Sequence, residues 1–119
     1  MFDYYFEEQA NQFSFIQIPK ELLVNKQFAE LSTQSKVLYG LLLDRMSQAR
    51  KNHWVDDKDR AFIIYPVDEI VKELNSSKRK VLGCLAELEE TGLVERQKQG
   101  NGRPNRIYVK NFILESAGA

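Results

Sequence analysis

A chain of 119 residues, 43% hydrophobic and 29% charged, can bury one core and is too short for two, and it holds no apolar run near the ~20 residues that cross a bilayer. Seventeen Lys/Arg balance seventeen Asp/Glu; a lone Cys84 excludes an intramolecular disulfide and a single His53 excludes a zinc cluster. The N-terminus, MFDYYFEEQANQF, is acidic where a secretory leader is basic and lacks an apolar h-region, so the expected compartment is a reducing cytoplasm.

In chain order, FSFIQI over residues 13–18 is aromatic and β-branched and ends at Pro19, which predicts a short strand. PKELLVN places Pro19 at a plausible first helical position and QFAEL makes another turn, so brief helices are expected there. From Ser32 to Lys51, a cap at Ser32 or Thr33 is followed by Val37, Leu38, Leu41, Leu42 and Met46 at helical spacing. This predicts the longest core helix. HWVDDKDRAFIIYP reads as a hairpin around an acidic turn, its second arm ending at Pro66. VDEIVKEL puts Val67, Ile70, Val71 and Leu74 on one face of a helix of about two turns. Asn75 and Ser76 break it, and a second helix runs from a Ser77 cap through Thr91 to Gly92, a natural C-terminal stop. LVERQ, KQGNGRPN and RIYVKNF then give strand, glycine-rich loop and strand. The predicted fold is α+β, a winged helix-turn-helix with a small antiparallel sheet and a C-terminal β-hairpin wing.

The neutral total hides an uneven distribution. Residues 1–75 carry nine Lys/Arg against twelve Asp/Glu, whereas residues 77–110 carry eight against four. No carboxylate lies between residues 96 and 110. Such a basic stripe within one domain points to a polyanion surface.

Along the helix over residues 77–91, Val81, Leu82, Leu85 and Leu88 mark the inward stripe, and Gly83 falls opposite, flanked by Arg79 and Lys80. The second helix of a helix-turn-helix meets base edges with its N-terminal residues, and its N-terminus attracts phosphate. Ser76, Ser77, Lys78, Arg79 and Lys80 have that position. Gly83 costs about 1 kcal/mol of helix propensity relative to Ala, a loss understandable where DNA or a neighbouring helix must come close. The competing reading is an ordinary amphipathic surface helix. It fits less well, because cations in a first turn oppose the helix dipole. Glu87, Glu89 and Glu90 would repel phosphate, so the C-terminal half has to point away from DNA.

In the loop that follows, glycines permit tight turns that can project Lys98, Gln99, Asn101, Arg103, Asn105 and Arg106 along a duplex flank. Arg103, next to the tip and stiffened by Pro104, is the candidate for minor-groove insertion; a solvated, solubilising hairpin is the alternative. The DDKD turn falls short of a calcium loop pattern, His53 has no catalytic partner, and Cys84 reads as a small packing residue. No nucleophile–base pair, phosphate loop or metal constellation points to an enzyme or to a cofactor. The aromatic segment FDYYF has three open fates: tucking onto the core, pairing two protomers, or disorder.

FIQIPKELL, LSTQSKVLYGLLLDRMSQA, HWVDDKDRAFIIYPVDEIVKELNSSKRKV and LEETGLVERQKQGNGRPNRIYVKNF together resemble the N-terminal domain of the RepA_N replication initiators of plasmids from Gram-positive bacteria, over about residues 13–113. The resemblance implies a winged helix that binds double-stranded DNA at repeated origin sites (iterons), generally as a homodimer, to start plasmid replication. It implies DNA contacts from residues 76–80 with Gly83 and from the wing over residues 98–106, and host replication proteins as partners of a further C-terminal domain. Tyr4, Tyr5, Phe6, Phe13 and Phe15 are the candidate dimer contacts. The expected organisation is an arm over residues 1–12, the domain over 13–113, and a linker start over 114–119, where ESAGA would mark a truncation. A winged-helix transcriptional regulator and a protein-interaction winged helix that never touches DNA are the alternatives.

Overall fold

The computed structural model describes residues 1–6 and 13–112. Helix α1 (Glu21–Val24) and a 3-10 turn (Lys26–Phe28) precede α2 (Thr33–Met46). The chain continues through β1 (Ile63–Ile64), α3 (Val67–Leu74), α4 (Lys78–Glu90), β2 (Val94–Gln97) and β3 (Arg106–Val109). The three strands form one antiparallel sheet in the order β1-β3-β2, with Ile63 opposite Ile107 and Val94 opposite Val109. This is the winged-helix architecture expected from the sequence.

Each element starts and stops for a local reason. The Ser32 hydroxyl accepts the Ser35 N–H at 3.2 Å and caps α2, and the Ser77 hydroxyl accepts the Lys80 N–H at 3.1 Å and caps α4. Asn75, at φ 50°, closes α3 in the left-handed region. Only Ser76 separates that residue from the Ser77 cap, so α3 and α4 meet at a tight corner. At the far end of α4, Gly92 at φ 82° lets the Leu93 N–H reach the Leu88 carbonyl at 2.9 Å and its own N–H reach Glu89 at 3.0 Å. That paired arrangement is the Schellman stop, and it sends the chain straight into β2.

The core lies where α2, α3 and α4 meet the inner face of the sheet. Leu38, Leu42, Ile63, Ile70, Val81, Leu85 and Leu88 are fully buried there, each adding roughly 1.5–3 kcal/mol of apolar transfer. Cys84 packs among them, as its sequence position indicated.

Three expectations are corrected. Residues 13–18 form no strand: their end packs on α2 instead of joining an edge of the sheet. It passes so close that a Cβ on Gly40 would lie 2.7 Å from Ile18 Cγ1 and 3.0 Å from the Gln17 carbonyl oxygen. Helix α2 stops at Met46 rather than Lys51, because the Ser47 hydroxyl bonds back to Asp44 O at 2.6 Å and the next N–H groups make short-range turns to Arg45 and Met46. Pro19 lies outside α1, which starts at Glu21 with Lys20 at its cap.

The predicted hairpin around DDKD is present but barely paired, through one bridge between Val55 and Ala61. Its turn is organised by Asp56, whose carboxylate accepts the N–H groups of Lys58 and Arg60, the Arg60 guanidinium and the Tyr108 hydroxyl, at 2.8–3.0 Å. Burial pushes the Asp56 carboxyl up, yet these donors outweigh it and hold the group well below the usual carboxylate range. Of the fates open to FDYYF, tucking onto the core is not the one observed: Tyr4, Tyr5 and Phe6 are all more than half exposed.

Candidate nucleic-acid interface

Helix α4 is held on two flanks and open between them. The sheet meets it on one side, where the Arg96 guanidinium pairs with Glu89 at 2.6 Å. The first turn of α2 meets it on the other, where Glu87 Oε1 accepts the Ser32 N–H at 2.8 Å and the Ser35 hydroxyl at 3.1 Å. At about 100° per residue, Arg79, Gly83, Ala86 and Glu90 form the ridge between those flanks, and all four are exposed.

Gly83 has no atom within 4 Å of where its Cβ would stand. Of the two reasons for a glycine considered above, close approach by a neighbouring helix is therefore removed.

Apart from Arg106, which is half-buried, the basic residues of the C-terminal third divide into two groups. Arg96 is tied to Glu89, Lys110 to Glu95 at 3.4 Å, and Lys78 more loosely to Asp68 at 3.8 Å. Arg79, Lys80, Lys98 and Arg103 have no salt-bridge partner among the described residues, and all four are exposed. An unpartnered, solvated cation retains its full attraction for an external anion; a paired one has spent part of it.

The predicted serines have structural duties as well. Ser77 is the α4 cap, and Ser76 is half-buried, its hydroxyl accepting from Gln34 Nε2 at 3.0 Å. Each hydroxyl hydrogen remains available to a further acceptor.

The wing is braced at its base and bare at its tip. The Arg106 guanidinium stacks 4.4 Å from the centre of the Phe62 ring and donates to Gln99 Oε1 at 3.3 Å, while Gln99 Nε2 donates to the Pro104 carbonyl at 2.6 Å. Gln99 and Arg106 thus hold the loop in shape. Gly100, Asn101 and Gly102 all take positive φ, between 53° and 74°, a run that only glycine and asparagine adopt readily. It turns the chain so that Arg103 and Asn105 stand exposed beside the tip. Lys98, Gln99, Arg103 and Arg106, with Gln97, line a polar hollow of about 210 Å³. A second hollow of about 360 Å³ is bordered jointly by Leu85 of α4, Arg96, the loop from Gly102 to Asn105, and Pro66 and Val67 at the start of α3.

Glu90, expected to face away from a polyanion, stands exposed on the same ridge as Arg79, whereas Glu89 is tied to Arg96 and the Glu87 carboxylate is occupied by α2. The Ser32 N–H holds that carboxyl below its ordinary range, against the opposing push of burial. What the sequence did not reveal is that α2 reaches both ends of α4, through Gln34 and Glu87; separations of 42 and 55 residues leave no local signal. The bracing role of Phe62 was equally hidden.

Among the described residues no helix is long and apolar enough to cross a membrane. A solved structure described as the N-terminal domain of a DNA binding protein superposes with a TM-score of 0.77 at 25% identity, covering 99% of this chain and 96% of that one. A Rep–DNA complex gives 0.77 at 25% identity over 98% and 95% of the two chains, and an MDR initiator gives 0.73 at 26% over 98% and 99%. A "41 kDa protein" of Lactobacillus helveticus is 30% identical over 111 residues, which is 88% of this chain and 31% of that protein. The chain thus spans under a third of that relative's length. The profile of the family described as replication initiator protein A (RepA) N-terminus matches residues 14–119, and the chain belongs to that family.

Proposed function

We propose that this chain is the sequence-specific, double-stranded DNA-binding domain of a plasmid replication initiator. The observation that carries this reading is the placement of charge within residues 77–110: Arg79 and Lys80 at the start of α4, and Lys98 and Arg103 on the wing, are exposed and without a salt bridge among the described residues, while Arg96 and Lys110 are tied to Glu89 and Glu95. The start of α4 enters the major groove, where Arg79 reaches a base edge and Gly83 lets the duplex close on the helix backbone. Ser76, Ser77, Lys78 and Lys80 meet the adjacent phosphates. Lys98, Asn101 and Asn105 follow the flanking backbone, Arg103 enters the minor groove, and Gln99 and Arg106 keep the wing in the shape that allows it. The likeness to the Rep–DNA complex supports the same reading.

The domain acts as a homodimer on repeated origin sites in the bacterial cytoplasm. Its exposed aromatic residues, Tyr4, Tyr5, Phe6, Phe13 and Phe15, are the surface offered to a second copy. Residues 1–12 serve as the arm, 13–113 as the DNA-binding unit, and 114–119 as the start of a linker to a region that engages host replication proteins.

Footprinting on the chain's own coding DNA, combined with a salt titration, tests the proposal. Protection of a repeated site is expected, with a log–log salt slope between about −4.5 and −7, as five to eight phosphate contacts require. A flat salt dependence would favour a protein-interaction module, and protection only of foreign promoter DNA a transcriptional regulator.

A further inference from the structure

The reading above leaves open what sets the angle of α4. Its buried stripe, Val81, Leu85 and Leu88, supplies most of the attachment energy, but apolar burial is non-directional and tolerates small rotations. On the flank facing α2 the packing is also incomplete. A cavity of about 650 Å³ opens there, lined by Gln34, Ser77, Arg79, Lys80, Gly83 and Glu87 among others.

Directional ties between α2 and α4 run across that flank, among them a long contact from the Ser35 hydroxyl to the Cys84 carbonyl at 3.5 Å. Gln34 Nε2 donates to Ser76 Oγ at 3.0 Å, immediately before the α4 cap. Glu87, in the third turn of α4, accepts from Ser32 N at 2.8 Å and Ser35 Oγ at 3.1 Å. Ser35 is completely buried, which fixes the position of its hydroxyl, while Glu87 itself is half-buried. The two anchor points lie about 16 Å apart along the helix. Together with the Glu89–Arg96 pair on the opposite flank, two anchors on the α2 side restrain the tilt of α4 more than one would.

We infer that Gln34 and Glu87 are positioning residues: together they clasp the recognition helix to the first turn of α2 and set sequence discrimination without touching DNA. The inference rests on the DNA-binding reading above. Pivoting α4 by about 10° at Glu87 would displace Arg79 by roughly 2 Å, enough to break a base-edge hydrogen bond. Attraction to phosphate falls off far more gently with distance. Loss of the clasp should therefore remove specificity and spare general affinity.

A double-mutant cycle decides it. The chain's preferred duplex is first selected from a random pool, and affinities for that duplex and for random-sequence DNA are then compared. Gln34→Ala is expected to lower the preferred-to-random ratio about tenfold while leaving random-duplex affinity and the salt slope unchanged, and to have no further effect once Ser76→Ala is present. Glu87→Ala should lower the same ratio, whereas Glu87→Gln, which keeps an acceptor oxygen, should retain it. Equal losses on both duplexes, or losses at Gln34 and Ser76 that simply add, would overturn the clasp, the latter by making Gln34 a direct contact. If the wild-type chain discriminates and the variants discriminate equally, the clasp alone fails. If the wild-type chain shows neither preference nor salt dependence, the DNA-binding reading fails with it.

Discussion

The Tyr108 hydroxyl donates to Asp56 Oδ2 at 3.0 Å, joining the central strand of the sheet to a turn 52 positions earlier in the chain. Through Asp56 the turn also gathers Arg60, whose guanidinium sits 5.1 Å above the Tyr108 ring. The outer face of β3 is thus covered by a loop that a single carboxylate keeps closed.

Asp56→Asn is expected to destabilise the fold at neutral pH and to flatten its acid dependence. The folded-state pKa of Asp56 is depressed, so its contribution is complete above the ordinary carboxylate range near pH 4 and is lost as pH falls through and below it. Thermal unfolding of the two proteins between pH 7 and pH 3 should therefore show a constant gap down to about pH 4 that begins to narrow below it. The remaining slope of the variant reports Glu87 and Glu95, which are also held low, by donors led by the Ser32 N–H and by Gln97 respectively. Parallel curves at all pH values would deny Asp56 this role.

Gly40→Ala introduces a methyl group 2.7 Å from Ile18 Cγ1. Overpacking of this kind costs about 1–3 kcal/mol, relieved by lifting residues 13–18 off α2. Denaturant unfolding should show the loss, and limited proteolysis should cut within residues 13–18 sooner than in the wild-type chain.

Gly83→Ala separates stability from binding. With open space around it, the added methyl should raise stability by about 0.5–1 kcal/mol through helix propensity alone. The same methyl should weaken binding to duplex DNA if the helix backbone is approached there. A variant that is both more stable and fully competent for DNA would leave the glycine without a role in recognition.

Arg79→Ala and Lys98→Ala should differ in kind. Losing Arg79 is expected to cost about 1–3 kcal/mol on the preferred duplex and to relax sequence preference. Losing Lys98 should weaken every sequence alike and reduce the salt slope by about 1. Competition binding at several salt concentrations distinguishes the two, and exchanged phenotypes would reverse the assignments.

The parts of the fold legible in the sequence were those specified by neighbours within a turn or two. The Ser77 cap, the stripe of Val81, Leu85 and Leu88 and the Gly92 stop delimit α4 without help from the rest of the chain, although Leu82, expected on the same inward stripe, is 39% exposed. Asn75 and Pro66 do the same for α3. Residues 13–18 misled because strand propensity only says that a segment suits a pleated, half-buried surface; whether it joins a sheet edge is a tertiary fact. Likewise the five cations from Arg96 to Lys110 look equivalent in sequence, and only the fold shows Arg96 and Lys110 neutralised, Arg106 laid on Phe62, and Lys98 and Arg103 left unpaired.

The sheet itself carries a last consequence. Its middle strand is paired on both sides, and the flanking strands are only two and four residues long, the longer one bearing Glu95 and Arg96 with Lys110 close by. So short and charged a border gives a second chain little ladder on which to zip, a design that works against edge-to-edge growth of the sheet.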